Sequence, residues 1–234
     1  MSNLATHSCS FLMGKNWHSY KYLEGRLLET SRYITFAPEN LSTWSENLAD
    51  LLSLIGSAVD TFFRNMWLCP AIRNLAEVKA VEILDDKSNR KNWNINDFMN
   101  AYEPIYELSK NEVTVPFGLS SLGSRKPFEK FGSRNLPVWW DGYNHVKHGY
   151  YDNIKEANLG NVVDALGGLL ILNALHKDSQ EYLLDVGVLN CGGLTPSFAF
   201  EYLKRSNKGI PKMMLASQCT IVTPIFVFEL RKDY

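Results

Sequence analysis

The chain has 234 residues, 45% hydrophobic and 12% aromatic, enough for one domain with a sizeable core. Charged residues make up 21% and the net charge is −1, which excludes global disorder and a strongly basic nucleic-acid binder but leaves room for a local basic patch. The four cysteines, Cys9, Cys69, Cys191 and Cys219, are scattered with no CxxC pair. They are expected as reduced thiols of a cytoplasmic protein rather than as a disulfide frame or a zinc site. Residues 1–14 lack a basic stretch followed by a clean apolar run, so no signal peptide is expected. The most apolar stretch, 159–175, carries Asn161, Asp164 and Asn173, which suits a core helix rather than a membrane span.

In chain order, residues 1–16 are expected to form an arm and 18–32 a short helix. Asn40 or Ser42 can cap the next helix, where Leu41, Trp44, Leu48, Leu51, Leu52, Ile55, Val59, Phe62 and Met66 recur at helical spacing. Pro70 ends that helix or starts another over 71–84. Asn94 to Asp97 looks like a helix start, and Pro104 predicts a kink or an early end. Residues 110–136 hold Pro116, Gly118, Gly123, Pro127 and Gly132 and are expected as a long loop with one short strand at 113–116. Helices are expected over 137–150 and 153–177, with 179–185 extending the second or forming a third. Residues 196–205 are helical by composition, and the β-branched, aromatic stretch 219–229 suits a strand or an extended cover. The expected fold is all-α, a helical bundle with minor β segments near 110–136 and the C-terminus. It divides into an arm (1–16), a helical domain (17–185) and an extension (186–234) packed on that domain.

The densest chemistry lies in Trp139-Trp140-Asp141-Gly142-Tyr143-Asn144-His145-Val146-Lys147-His148. On a helix Trp139, Tyr143, Val146 and Tyr150 form an apolar stripe, while Asp141, Asn144, His145 and His148 lie on the polar side. Asn144 and His148 stand four apart and can address one phosphate. An imidazole titrates near neutrality, so His148 suits general acid or base work beside the Lys147 cation. The blander reading is a helix end where Lys147 and His148 favour the negative dipole end and Gly149 terminates the helix. The preceding loop interleaves Arg125, Lys126, Lys130 and Arg134 with Phe128 and Phe131, which suits either a phosphate backbone with stacked bases or a solvated loop pinned by two rings. His145 and His148, flanked by Asp141 and Asp152, lack a matching cluster elsewhere and give only a thin metal signal. Trp139 and Trp140 are expected as core anchors, and Gly160, Gly167 and Gly168 as points of close packing.

Over about residues 20–185 the chain resembles the HEPN superfamily. The resemblance rests on Tyr33, residues 40–45, residues 94–98, Trp139-Trp140, Tyr143-Asn144, Lys147-His148, and residues 157–159 before a Leu/Ala-rich helix. It implies a helical bundle that dimerises and binds RNA. Many members are metal-independent endoribonucleases of toxin–antitoxin or antiviral defence systems; others are inactive interaction modules. The family motif pairs an arginine with a histidine a few residues on. His148 matches the histidine and Asn144 the polar residue, but the arginine position falls on Tyr143 and no arginine follows His148.

The leading expectation is therefore an RNA-binding protein, with His148, Asn144 and Lys147 as the catalytic set if it cleaves. Tyr143, His145, Arg125, Lys126, Lys130 and Arg134 would contact substrate, with no metal and no cofactor. A homodimer and an antitoxin or defence-system partner would accompany it. The alternatives are a catalytically inactive HEPN-like module and, more weakly, a small-molecule or nucleotide pocket under Trp139 and Trp140.

Overall fold

Trp17, Tyr20, Leu23 and Leu27 recur every three or four residues and become the buried face of the first helix. The computed structural model describes residues 2–67, 93–116, 122–191 and 219–230. That first helix, α1 (Ser2–Thr30), starts well before residue 18. The expected arm is thus part of it, since no proline interrupts the segment. A 3-10 turn at Pro38–Asn40 follows. The cap of α2 (Glu46–Met66) is Ser45, whose hydroxyl accepts from Leu48 N–H at 3.2 Å, and not Asn40 or Ser42. Trp44 consequently precedes the helix and is 44% exposed.

Helix α3 (Ile95–Tyr106) opens on a reciprocal cap between Asn94 and Asp97 and ends two residues after Pro104, where Glu107 turns left-handed. Strands β1 (Val113–Val115) and β2 (Gly123–Arg125) then pair antiparallel. Helix α4 (Val138–His148) is split at Gly149 from the single turn α5 (Tyr150–Asn153). Helix α6 (Leu159–Leu175) is capped by Asn158, and α7 (Lys177–Asp185) leaves it at 89°. Strands β3 (Leu189–Cys191), β4 (Cys219–Val222) and β5 (Val227–Glu229) complete one antiparallel sheet in the order β2-β1-β5-β4-β3.

The protein is mostly helical with this small sheet, which is compatible with the expected helical fold carrying minor β segments. The strands have only three or four residues each, too few for an alternation to stand out in sequence. The expected helices over 71–84 and 196–205 lie outside the described residues. Among the described residues no single helix is long and apolar enough to cross a membrane.

Helix α6 is apolar nearly all round and is enclosed by α1, α2, α4 and α7. Its Asn161 and Asn173 amides donate to backbone carbonyls of Glu156 and Leu169. Gly167 and Gly168 bear on Val113, Phe226 and Phe128, so their missing side chains admit the sheet and the loop rather than another helix. A run of rings joins α2, α3 and α4 through Phe63, Phe98, Tyr102, Phe128, Trp139 and Trp140. The buried Glu24 carboxylate accepts from Tyr20 hydroxyl at 2.9 Å and Ile225 N–H at 3.3 Å, which ties the β4–β5 hairpin to α1.

Cys191 and Cys219 face each other across β3 and β4 and form a disulfide. This corrects the expectation of reduced thiols for these two: antiparallel pairing brings together cysteines that lie 28 apart in sequence.

At the α6–α7 corner His176 is 1% exposed, meets Phe62 edge-on, and among the described residues finds no hydrogen-bond partner for either ring nitrogen. Burial pushes its pKa down to about 3, so the folded chain keeps it neutral. An unfolded histidine protonates near 6.5, so stability is complete above that value and falls as pH drops toward about 3. His176→Leu should flatten this dependence, read as the urea midpoint between pH 4 and 7.5. Parallel curves for variant and wild type would reject this role for His176.

Candidate functional site

Helix α4 is oriented by its aromatic residues. Trp139 and Trp140 are 1% and 4% exposed, and the Trp139 indole donates to Pro127 carbonyl at 2.8 Å. The pair therefore anchors the helix, as expected from its bulk, and offers no stacking face. One turn on, Tyr143 is 2% exposed and its ring lies where a Cβ on Gly56 of α2 would stand. Its hydroxyl sits 3.5 Å from Ser57 Oγ. Tyr143, expected to contact substrate, thus points into the α2–α4 contact.

Anchoring one face turns the other outward. Lys147 is exposed, donates to Tyr143 hydroxyl at 3.2 Å and lies 5.2 Å from its ring centroid. His148 is exposed, and its ring makes no hydrogen bond among the described residues. Asn144, one turn earlier on the same face, is half-buried. His145 Nδ1 lies 2.8 Å from the Glu156 carboxylate, and this hydrogen bond, then the Glu156 charge, raises its pKa. It is thus engaged in an exposed ion pair. The helix end is closed by the Asn153 amide, which donates to the His145 and Gly149 carbonyls at 3.1 and 3.0 Å. Gly149 has a φ of −156° rather than a left-handed one, and a Cβ there would meet that amide at 2.8 Å.

Nearby, Tyr150 hydroxyl donates to Asp50 at 3.1 Å, Lys155 lies 5.9 Å from the Trp44 ring centroid, and Tyr151 is 85% exposed. Neither Trp44 nor Tyr151 was expected as a site residue from sequence. Helical spacing assigns Trp44 to the core, and Tyr151 shows no signal apart from its partner Tyr150. Cations and acids alternate here, with Lys147 and Lys155 set against Asp50, Asp141, Asp152 and Glu156. Among the described residues no group of three or more His, Cys, Asp or Glu converges to hold a metal ion.

The basic loop falls at the other end of α4. Pro127 is fixed to Trp139, and His148 lies nine residues further along the helix, about 14 Å at 1.5 Å per residue. The cations of the loop and the imidazole are therefore not brought to one point. Arg125 forms a two-pronged ion pair with Asp164 of α6, with Nη2–Oδ2 at 2.8 Å, and this bond raises its pKa. It is structural in position. Lys126, Lys130 and Arg134 are exposed. Phe128 and Phe131 are buried and pin the 3-10 turn Glu129–Ser133, which carries Lys130 and is flanked by Lys126 and Arg134, so neither ring can stack on a base. A separate uncharged groove of about 270 Å³ opens between α1 and α2, lined by Asn16, Ser19, Ser57, Thr61 and Leu169 among others.

The seat of Tyr143 gives a direct test. Gly56→Ala gains helix propensity, about 1 kcal/mol, but drives a methyl into a buried ring, which costs typically 1–3 kcal/mol or more. A net loss of stability is expected in urea denaturation, relieved when Tyr143→Ala is added. A stabilised single variant would show that the ring yields freely.

Comparison of the chain with family models, with curated proteins and with solved structures returns no match.

Proposed function

We propose that this chain is a HEPN-like helical protein that binds RNA along α4. Lys126, Lys130 and Arg134 meet phosphates at one end of the helix, and Lys147 and His148 meet them at the other. The exposed rings of Tyr151 and Trp44 give unpaired bases a surface to stack on. The observation that carries the reading is the free, exposed imidazole of His148, one turn from Asn144 on the face that the tryptophan anchors turn to solvent.

Cleavage is the narrower form of the proposal. A neutral His148 would take the ribose 2′-hydroxyl proton, the bond to the leaving 5′-oxygen would break, and a 2′,3′-cyclic phosphate would form without metal. Lys147 would balance the charge on phosphorus. One imidazole cannot serve as base and acid in the same step, so turnover calls for a second copy that brings its own His148 to the same strand. Such a homodimer, a defence or toxin setting with an antitoxin-type partner, and a cytoplasmic place belong to this proposal. The second reading, a non-catalytic interaction module, is favoured by one observation: Tyr143 stands in place of the family arginine and faces the core.

A mixed oligoribonucleotide pool should bind with an affinity that falls steeply with salt. The triple variant Lys126→Glu, Lys130→Glu, Arg134→Glu should weaken binding at least about tenfold. Cleavage, where it occurs, should persist in chelator and vanish in His148→Ala. RNA binding that is absent, or indifferent to both salt and charge reversal, rejects the RNA reading and leaves the interaction module.

A further inference from the structure

We propose that Cys191 and Cys219 form a thiol–disulfide clasp that holds the outermost strand β3 on the sheet and opens on reduction. The two residues are direct partners in the antiparallel register, with Cα atoms 4.0 Å apart. Both are buried, at 2% and 5% exposure. Strand β3 has three residues and, among the described residues, pairs only with β4, so its ladder is short and its other edge has no strand neighbour there.

The clasp closes a circuit through the fold. On one side β3 follows directly from α7, where Gly187 turns left-handed and Val188 N–H donates to Leu183 carbonyl at 2.9 Å. On the other side β4 belongs to the hairpin that Glu24 and Tyr20 hold on α1 through Ile225 and Thr223. Helix α7 packs on α1. The disulfide thus cross-links two units that, among the described residues, also meet through α1, α6 and a three-residue ladder. When it is broken, β3 frays and the backbone groups of β4 on that side lose their partners, leaving an open strand edge next to the exposed Val222.

The chemistry needs a dithiol reductant. One of its thiolates attacks the sulfur of Cys191 or Cys219, the S–S bond breaks, and a mixed disulfide forms. Its second thiolate then displaces the protein sulfur. Two electrons pass to the cysteine pair, both sulfurs end as protonated thiols, and the reductant leaves as a disulfide. Because both sulfurs are buried while β3 is paired, attack follows fraying of the edge, so the clasp resists reductant until the strand opens.

The test uses the full chain, oxidised with glutathione disulfide or reduced with dithiothreitol, with no RNA present. A non-reducing peptide map of the oxidised chain should contain a Cys191–Cys219 linked peptide. On reduction, amide exchange in peptides spanning 186–191 and 219–222 should become at least about tenfold faster while α6 is unchanged. The double variant Cys191→Ser, Cys219→Ser should match the reduced wild type; if it does not fold, the reduced wild type carries the comparison. Absence of the linked peptide, linkage to Cys9 or Cys69 instead, or unchanged exchange on reduction would overturn the clasp.

Discussion

The contact on which the candidate site depends is a tyrosine ring seated where a glycine has no side chain. Tyr143 lies against Gly56 because any larger residue on α2 would occupy the space of the ring. That contact sets the distance between α2 and α4 and, with Trp139 and Trp140, the rotation of α4 about its axis. A helix fixed in rotation has its outward face decided as well. Asn144, Lys147 and His148 meet solvent because the three aromatic residues do not. Tyr143, expected to contact substrate, is in this chain a side chain that builds the scaffold.

Distance along α4 matters as much as direction. The Trp139–Pro127 hydrogen bond fixes the basic loop to the start of the helix, and the histidines sit at its far end. A rigid helix keeps these two charged zones apart. An extended polyanion can touch both, whereas a compact ligand reaches only one. The alternating charges around His148 carry less attraction for phosphate than the row formed by Lys126, Lys130 and Arg134. The denser positive charge and the exposed imidazole therefore lie at opposite ends of one element.

Much of the helical framework was legible in the residues. The three- and four-residue spacing in α2, the cap at Asn94, and the apolar run of α6 each follow from a local rule and appear where those rules place them. The burial of the two tryptophans followed from bulk. The sheet was legible in part: β1, β4 and β5 fall where a short strand and a β-branched stretch were expected, but their pairing was not readable, since β3 meets β4 across a long stretch of chain and the sheet's stability is non-local. The cysteine pair was missed for the same reason, since opposition across strands leaves no spacing signature. In the site, the sequence showed which groups share a helix face but not which were already engaged. Arg125 and His145 look free in sequence, but both have carboxylate partners that lie on other elements.

The partner of Arg125 has a further consequence. A cylinder that is oily on every side has no preferred azimuth among its neighbours and can spin within its socket at little cost. Asp164 breaks that degeneracy. It is the single ionised group on α6, and its two-pronged bond to Arg125 at the rim of the sheet holds the helix at one angle of roll. The glycine notches at Gly167 and Gly168 then face the strands and the loop that fill them. A lone carboxylate thereby acts as the keyway of an otherwise featureless axle.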